Sequence, residues 1–140
     1  MSEGLERFVQ AQAPVYAAAL RELSEGRKRT HWMWFIFPQL RGLGTSPLSW
    51  RYGIASRAEA EAYLAHAVLG PRVQQCTDAV NAHRGRPAEA IFGPVDAMKL
   101  RSSMTLFELA GGGPHFGRCL DFFFGGTRDR RTTDLIDARA

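Results

Sequence analysis

The chain has 140 residues, of which 45% are hydrophobic, and this length fits one domain whose core needs neither disulfides nor a metal. Its two cysteines, Cys76 and Cys119, form no CxxC motif, which argues against a cysteine zinc site, and the net charge of +4 is a mild basic excess. Neither a signal peptide nor a stretch able to span a bilayer is evident, so we expect a cytoplasmic protein without a membrane partner.

Two short helices are predicted at the N-terminal end. Apolar residues at helical spacing occur on both sides of Pro14. Because proline is tolerated only in the first turn of a helix, the pattern predicts one helix near 3–11 and a second near 13–25. Gly26 is expected to end the second helix, since glycine readily adopts the left-handed conformation found at helix ends.

The segment from Lys28 to Trp50, KRTHWMWFIFPQLRGLGTSPLSW, is the unusual part of the sequence. Its aromatic rings follow neither the alternation of a strand nor the period of a long helix. Pro38 stops any helix, and the glycines and proline that follow indicate an irregular loop. A loop this rich in rings is expected to pack into the protein body, where its backbone polar groups need partners.

Helical patterns return after this loop and predict an all-α fold. Ser56 and Glu59 form a capping box at the start of a helix near 57–67. The later predicted elements are a helix from Pro71 to about Gly85, one turn within 87–92, a helix near 95–109 capped by Asp96, a glycine hinge at 111–113, and a helix from Phe116 to about Gly125. Both cysteines lie in apolar helical stripes and are predicted to be buried.

With little evidence for strands, the predicted fold class is all-α: a compact multi-helical single domain over residues 1–140. A few longer helices are expected to be surrounded by short helices and an ordered aromatic-rich loop. The motifs GxGxxG, GxxxxGK[ST], GxSxG and HExxH are absent. The sequence therefore predicts no cofactor and no metal, and no residue stands out as a nucleophile.

Two residues are candidates for a catalytic role. His31 lies at the edge of the aromatic stretch, where an imidazole can act as an acid or a base; the alternative is a structural histidine bonded to the backbone. Lys99 is the predicted clamp for an anion. It precedes Ser102 and Ser103 by three and four residues, so one helix face carries a cation and two hydroxyls that suit a phosphate. The alternative is an ordinary polar helix face.

Other candidates would complete a ligand site. Trp34 offers a flat surface for a planar ring, and the Gln39 amide, which follows Pro38, needs partners that a ligand can supply. Tyr52 and His66 are further candidates. For the rings the alternative is core packing. Three tail residues either border a pocket or cap a helix and pin the C-terminus: Asp129, Thr132 and Thr133.

Four stretches resemble the domain-of-unknown-function 1810 family, a bacterial family of about this length. They are HWMWFIFPQLRGLG (31–44), AYLAHAVLGPR (62–72), IFGPVDAMKLRSSMTLF (91–107) and FFGGTRDRRTTDLI (123–136). The resemblance covers nearly the whole chain and implies a compact multi-helical fold, but no function. Some members carry a calpastatin label, yet no stretch here resembles a protease-inhibitor repeat. Ala67, after His66, replaces the proline usual in the family.

Three functions are weighed. The favoured one is a small-molecule site for a nucleotide-like, phosphate-bearing ligand, built where the aromatic stretch meets the Lys99 face, with catalysis left open. The alternative is a non-catalytic interaction module that exposes Trp32, Trp34 and Phe37 to a partner protein. Nucleic-acid binding ranks last, because the clusters at 27–29 and 128–131 accompany no known nucleic-acid motif and suit a solvated surface.

Overall fold

The computed structural model describes residues 4–138, which form nine α-helices and one isolated bridge between Leu40 and Ile54. The predicted all-α fold is therefore confirmed, although residues 1–3 and 139–140 of the predicted domain lie outside the described part. The helices are α1 (Glu6–Gln12), α2 (Tyr16–Glu25), α3 (Met33–Ile36), α4 (Pro47–Arg51), α5 (Arg57–Ala65), α6 (Leu69–Asn81), α7 (Ala88–Leu109), α8 (Pro114–Phe124) and α9 (Arg130–Ala138).

The first two helices are separated at Pro14, as the sequence predicts. The second begins later than expected, because the Val15 N–H donates to the Gln12 carbonyl in a turn and helical geometry resumes only at Tyr16. Gly26 ends α2 with φ of 80°, the left-handed conformation expected of a glycine at this position.

The aromatic segment is mostly irregular but contains two short helices that its sequence pattern does not reveal, α3 and α4. The Ser46 hydroxyl accepts the Ser49 N–H at the start of α4, so this helix has its own cap. Trp32 and Phe37 are buried in the core. The segment is therefore packed into the body, as expected from its aromatic content.

The capping box at α5 is only half formed. The Ser56 hydroxyl accepts the Glu59 N–H at 3.2 Å, as predicted, but the Glu59 carboxylate turns to the Ala55 N–H at 2.8 Å. The same carboxylate forms an ion pair at 3.2 Å with Arg7, which is buried on α1. Glu59 thus ties the N-terminal helix to α5.

The predicted short turn and the helix after it form one element, α7, interrupted at Gly93, whose φ of 79° and ψ of 164° are not helical. Pro94 follows as the first residue of the longer part. Asp96 does not cap it, contrary to the prediction. The longer part begins two residues before Asp96, which therefore lies inside the first turn, and the Asp96 carboxylate is 3.0 Å from Lys28 Nζ and 3.4 Å from Lys99 Nζ.

The longer part of α7 runs through the core and packs against α5, α8 and α9. Its Leu100, Met104 and Phe107 are buried, in agreement with the predicted apolar stripe. Cys76 and Cys119 are also buried, as predicted. Within residues 4–138, no helix has both the length and the apolar character required to cross a bilayer.

Both thiols are expected to be unreactive in the native protein. Burial disfavours the thiolate and raises the pKa of Cys76 and of Cys119 to about 12. At pH 8, a soluble disulfide reagent should modify the native protein about 100-fold or more slowly than the urea-unfolded chain, because the thiolate is the reactive form. Rapid modification of either cysteine under native conditions would contradict this burial.

Candidate functional site

A cavity of about 530 Å³ lies where the longer part of α7, the start of α9 and the loop after α3 meet. Gln39, Leu43 and Gly44 from the loop form one side. Val95 and Met98 project from α7 and are each 65% exposed, which is unusual for large apolar side chains. The loop and α7 thus give this cavity an apolar wall.

The polar part of the cavity is strongly basic. Five lining residues are cations and one is a carboxylate: Lys99, Arg101, Arg128, Arg130 and Arg131 against Asp129. Arg128 is committed elsewhere, because its guanidinium forms hydrogen bonds of 2.8 and 2.6 Å to Glu108. Even without it, positive charge dominates, and a concave surface of one sign focuses the field that attracts ions of the opposite sign.

Asp129 joins the two helices that form the basic side. Its Oδ2 accepts the Thr132 N–H at 3.1 Å, which caps α9, and also accepts the Thr132 hydroxyl. The Ser102 hydroxyl on α7 donates to the same Oδ2 at 3.1 Å, and the Asp129 N–H donates to Thr105 Oγ1 at 2.9 Å. The tail is therefore pinned by the cap that the sequence suggested, and the first turn of α9 faces the cavity.

Arg101 is held beside this cap. Its Nη2 lies 3.8 Å from Asp129 Oδ1, close enough for an electrostatic pair but too long for a hydrogen bond. Its Nε is buried and has no hydrogen-bond acceptor among the described residues. A buried donor without a partner is costly, and the exposed 32% of the Arg101 side chain is the part that an anion in the cavity can contact.

A smaller cavity of about 250 Å³ adjoins the first, and Lys99 lines both. Lys99 Nζ lies 4.8 Å from the centre of the Trp34 ring, a cation–π contact that orients the lysine. His31 and Asp96 lie on the same small cavity. Across residues 4–138, no group of three or more His, Cys, Asp or Glu side chains is arranged to hold a metal ion.

A buried carboxylate fixes the backbone that carries His31. Glu22 on α2 is only 4% exposed, and it accepts the N–H groups of Arg29 and Thr30 at 2.8 and 3.0 Å. It also accepts the Thr30 hydroxyl at 2.7 Å and the Trp32 indole N–H at 3.0 Å. Burial alone would raise the pKa of Glu22, but these hydrogen bonds outweigh it and lower the pKa to about 2.

The structure brings five of the seven residues predicted for the site to these two cavities: Gln39 and Ser102 line the larger one, His31 and Trp34 the smaller, and Lys99 both. Tyr52 and Ser103 line neither. Tyr52 packs edge-on against Phe35, with ring centres 4.8 Å apart. Ser103 is fully buried. Consecutive helical residues point about 100° apart, so Ser103 faces the core while Ser102 faces the cavity.

Sequence reasoning missed the arginines and the apolar wall as parts of the site. Arg128, Arg130 and Arg131 are exposed, in agreement with the predicted solvated surface, and they also border the larger cavity. The prediction does not include Arg101, because helical spacing groups Lys99 with Ser102 and Ser103 and places the residue between them on another side of the helix. The sequence feature that indicates this part of the site is Asp129, a helix-capping residue that stands between arginines where the last helix begins.

Comparisons with known proteins agree with the resemblance seen in the sequence. The sequence model of a family described as "Protein of unknown function (DUF1810)" matches residues 2–136. The crystal structure of the conserved hypothetical protein Rv1873 from Mycobacterium tuberculosis is similar to this chain, with 56% identity and a TM-score of 0.94. That match covers 98% of this chain and 99% of the other. No curated protein matches the sequence.

Proposed function

Since this chain belongs to the DUF1810 family, which is of unknown function, we propose from its geometry that it binds a small, nucleotide-like molecule bearing a phosphate. The larger cavity is the binding site. The observation that carries the proposal is the convergence of Lys99, Arg101 and Arg131 with the first turn of α9 on one cavity that also has an apolar wall.

The basic side suits a phosphate in both charge and hydrogen bonding. Guanidinium and ammonium groups form strong, charge-assisted hydrogen bonds with phosphate oxygens. The helix dipole at the start of α9 favours negative charge, although the Asp129 carboxylate already accepts the Thr132 N–H there. Arg101 contributes a guanidinium that lines the cavity.

The apolar wall suits the remainder of such a ligand. Val95 and Met98 are one turn apart on α7, and Leu43 faces the same cavity from the loop. A flat ring packed against these side chains would remove their exposed surface from water. The volume of about 530 Å³ falls among sites for small organic ligands, which commonly occupy roughly 300–1,000 Å³.

The alternative of an interaction module based on the aromatic loop has less support. Two of the three rings on which it depended, Trp32 and Phe37, are buried, and only Trp34 is partly exposed. Further along the loop, Trp50 is 58% exposed, but the Arg41 guanidinium lies over its ring at 4.8 Å. Leu48 on the same helix is 46% exposed, so the exposed apolar surface of this loop is centred on α4 and not on the three rings predicted to carry the contact.

Nucleotides should stabilise the protein, whereas the corresponding nucleosides should not. At a ligand concentration 100 times the Kd, binding adds about 2.7 kcal/mol to the free energy of unfolding. For a chain of this size, that gain raises the Tm by about 5–10 °C. A thermal-shift series with nucleosides, inorganic phosphate, nucleoside monophosphates and nucleoside diphosphates tests this. No shift with any phosphate compound would overturn the proposed function.

A pair of variants ties the binding to the cavity. Lys99→Met keeps the length of the side chain over Trp34 but removes the charge, and should reduce the affinity about tenfold. Arg118→Met removes the same charge from an exposed position on α8, away from both cavities, and should leave the affinity nearly unchanged. Equal losses in both variants would indicate a general charge effect.

A further inference from the structure

We infer that the ligand carries a hydroxyl group close to its phosphate, as in a polyol phosphate or sugar phosphate, and that Asp129 Oδ1 accepts the hydrogen bond from this hydroxyl. The inference rests on the proposed function, because it assigns the ligand of the same cavity more closely. Its starting point is a carboxylate placed among cations that would otherwise serve only an anion.

The two oxygens of Asp129 have different surroundings. Oδ2 accepts three hydrogen bonds, from the Ser102 hydroxyl and from the N–H and hydroxyl of Thr132. Oδ1 accepts none from the described residues, and its nearest cation, Arg101 Nη2, is 3.8 Å away. Because a carboxylate oxygen accepts more than one hydrogen bond, Oδ1 retains acceptor capacity, and Asp129 lines the cavity.

The cap on α9 does not require this second oxygen. Oδ2 alone accepts the Thr132 N–H, and asparagine, serine or threonine caps a helix about as well without a charge. A negative charge beside a phosphate site weakens phosphate binding by repulsion. The cost is offset when the ligand brings a donor, since hydroxyl-to-carboxylate hydrogen bonds are short and strong.

The spacing indicates where the hydroxyl lies in the ligand. A phosphate oxygen bonded to Arg101 and a hydroxyl bonded to Asp129 Oδ1 fit this spacing when they are close neighbours in the ligand, because the two protein atoms are only 3.8 Å apart. A hydroxyl one or two carbons from the phosphate ester meets this requirement. Ribose phosphates and glycerol phosphates have such hydroxyls, and simple alkyl phosphates do not.

The test compares two ligands of equal charge and length, glycerol 3-phosphate and propyl phosphate, by isothermal titration calorimetry at pH 8. The wild-type protein should bind glycerol 3-phosphate about tenfold more tightly, the effect of one hydrogen bond to a charged group. Asp129→Asn keeps the cap but places an N–H₂ group where Oδ1 stood. Its affinity for inorganic phosphate should rise, and the preference for glycerol 3-phosphate should fall to about twofold or less.

Each outcome has a defined meaning. Equal wild-type affinity for the two esters overturns this inference but leaves the proposed function standing, and this measurement does not depend on how the variant folds. An unchanged preference in Asp129→Asn, with a thermal transition like that of the wild type, also overturns it. Failure of both esters, of inorganic phosphate and of nucleoside monophosphates to bind overturns the proposed function itself.

Discussion

Arg101→Met is expected to weaken the binding of phosphate-bearing ligands by about 10-fold to 100-fold at low salt, the range for one lost hydrogen bond to a charged partner. The Arg101 guanidinium is the cation whose Nε is buried without an acceptor among the described residues. Its loss removes both charge and directed donors from the cavity. Methionine retains the apolar stem, so packing along α7 should change little.

Arg101→Lys separates the two contributions of this side chain. Lysine retains the positive charge but lacks the planar set of donors that matches a phosphate. We therefore expect an affinity between those of the wild type and of Arg101→Met. Titration calorimetry at several salt concentrations measures this, and the decline of affinity with salt should be shallower in the methionine variant, which has one cation fewer.

The matched control is Arg118→Met, which lowers the net charge of the chain by the same amount. Arg118 is exposed on α8 and lines neither cavity, so its loss should change the affinity by no more than about twofold, the effect expected of a distant surface charge. If Arg101→Met bound as tightly as this control, the buried Nε would have no part in the site.

A comparison of α6 with the aromatic segment shows how much of the fold can be predicted from the sequence. The stripe of Val73, Cys76, Thr77 and Val80 predicts the buried face of α6 from spacing alone, and all four are buried. The order in residues 28–54 depends instead on contacts between residues ten or more positions apart, such as Trp32 with Glu22 and Leu40 with Ile54. No local hydrophobic periodicity indicates such contacts, so the sequence pattern does not predict α3 and α4.

In the candidate site, too, local spacing predicts part of the arrangement and tertiary contacts determine the rest. Helical spacing places Lys99 near both serines, but only contact with α9 decides that Ser102 faces the cavity and Ser103 the core. Asp96 is a sound cap candidate by type and position, yet it pairs with Lys28, 68 residues earlier in the chain. Local chemistry identifies the polar groups, and tertiary packing chooses their partners.

Glu22→Gln is expected to lower the free energy of unfolding by about 3 kcal/mol at pH 7. The folded protein lowers the pKa of Glu22 from 4.5 to about 2, and each pKa unit corresponds to about 1.4 kcal/mol. Glutamine removes the charge that makes all four hydrogen bonds at this buried site strong. The Tm should fall by roughly 10 °C for a chain of this size.

Glu25→Gln is the control for this change on the same helix. Glu25 lies three residues further along α2, where its exposed carboxylate pairs with Arg29 at 2.5 Å. Exposed pairs of this kind contribute about 0–1 kcal/mol, so the free energy of unfolding should change little. Urea denaturation of the wild type and both variants at pH 7 compares the two glutamates directly, and equal losses would contradict the role assigned to burial.

The dependence of the unfolding free energy on pH distinguishes the effect of the Glu22 charge from an effect of packing. Because the pKa of Glu22 is lowered in the folded state, its contribution is complete well above the unfolded value of 4.5 and is lost as the pH falls towards about 2. The gap in unfolding free energy between the wild type and Glu22→Gln should therefore be constant near neutral pH and less than half as large by about pH 3. A gap that stayed constant down to pH 3 would mean that the lost stability comes from altered packing and not from the carboxylate charge.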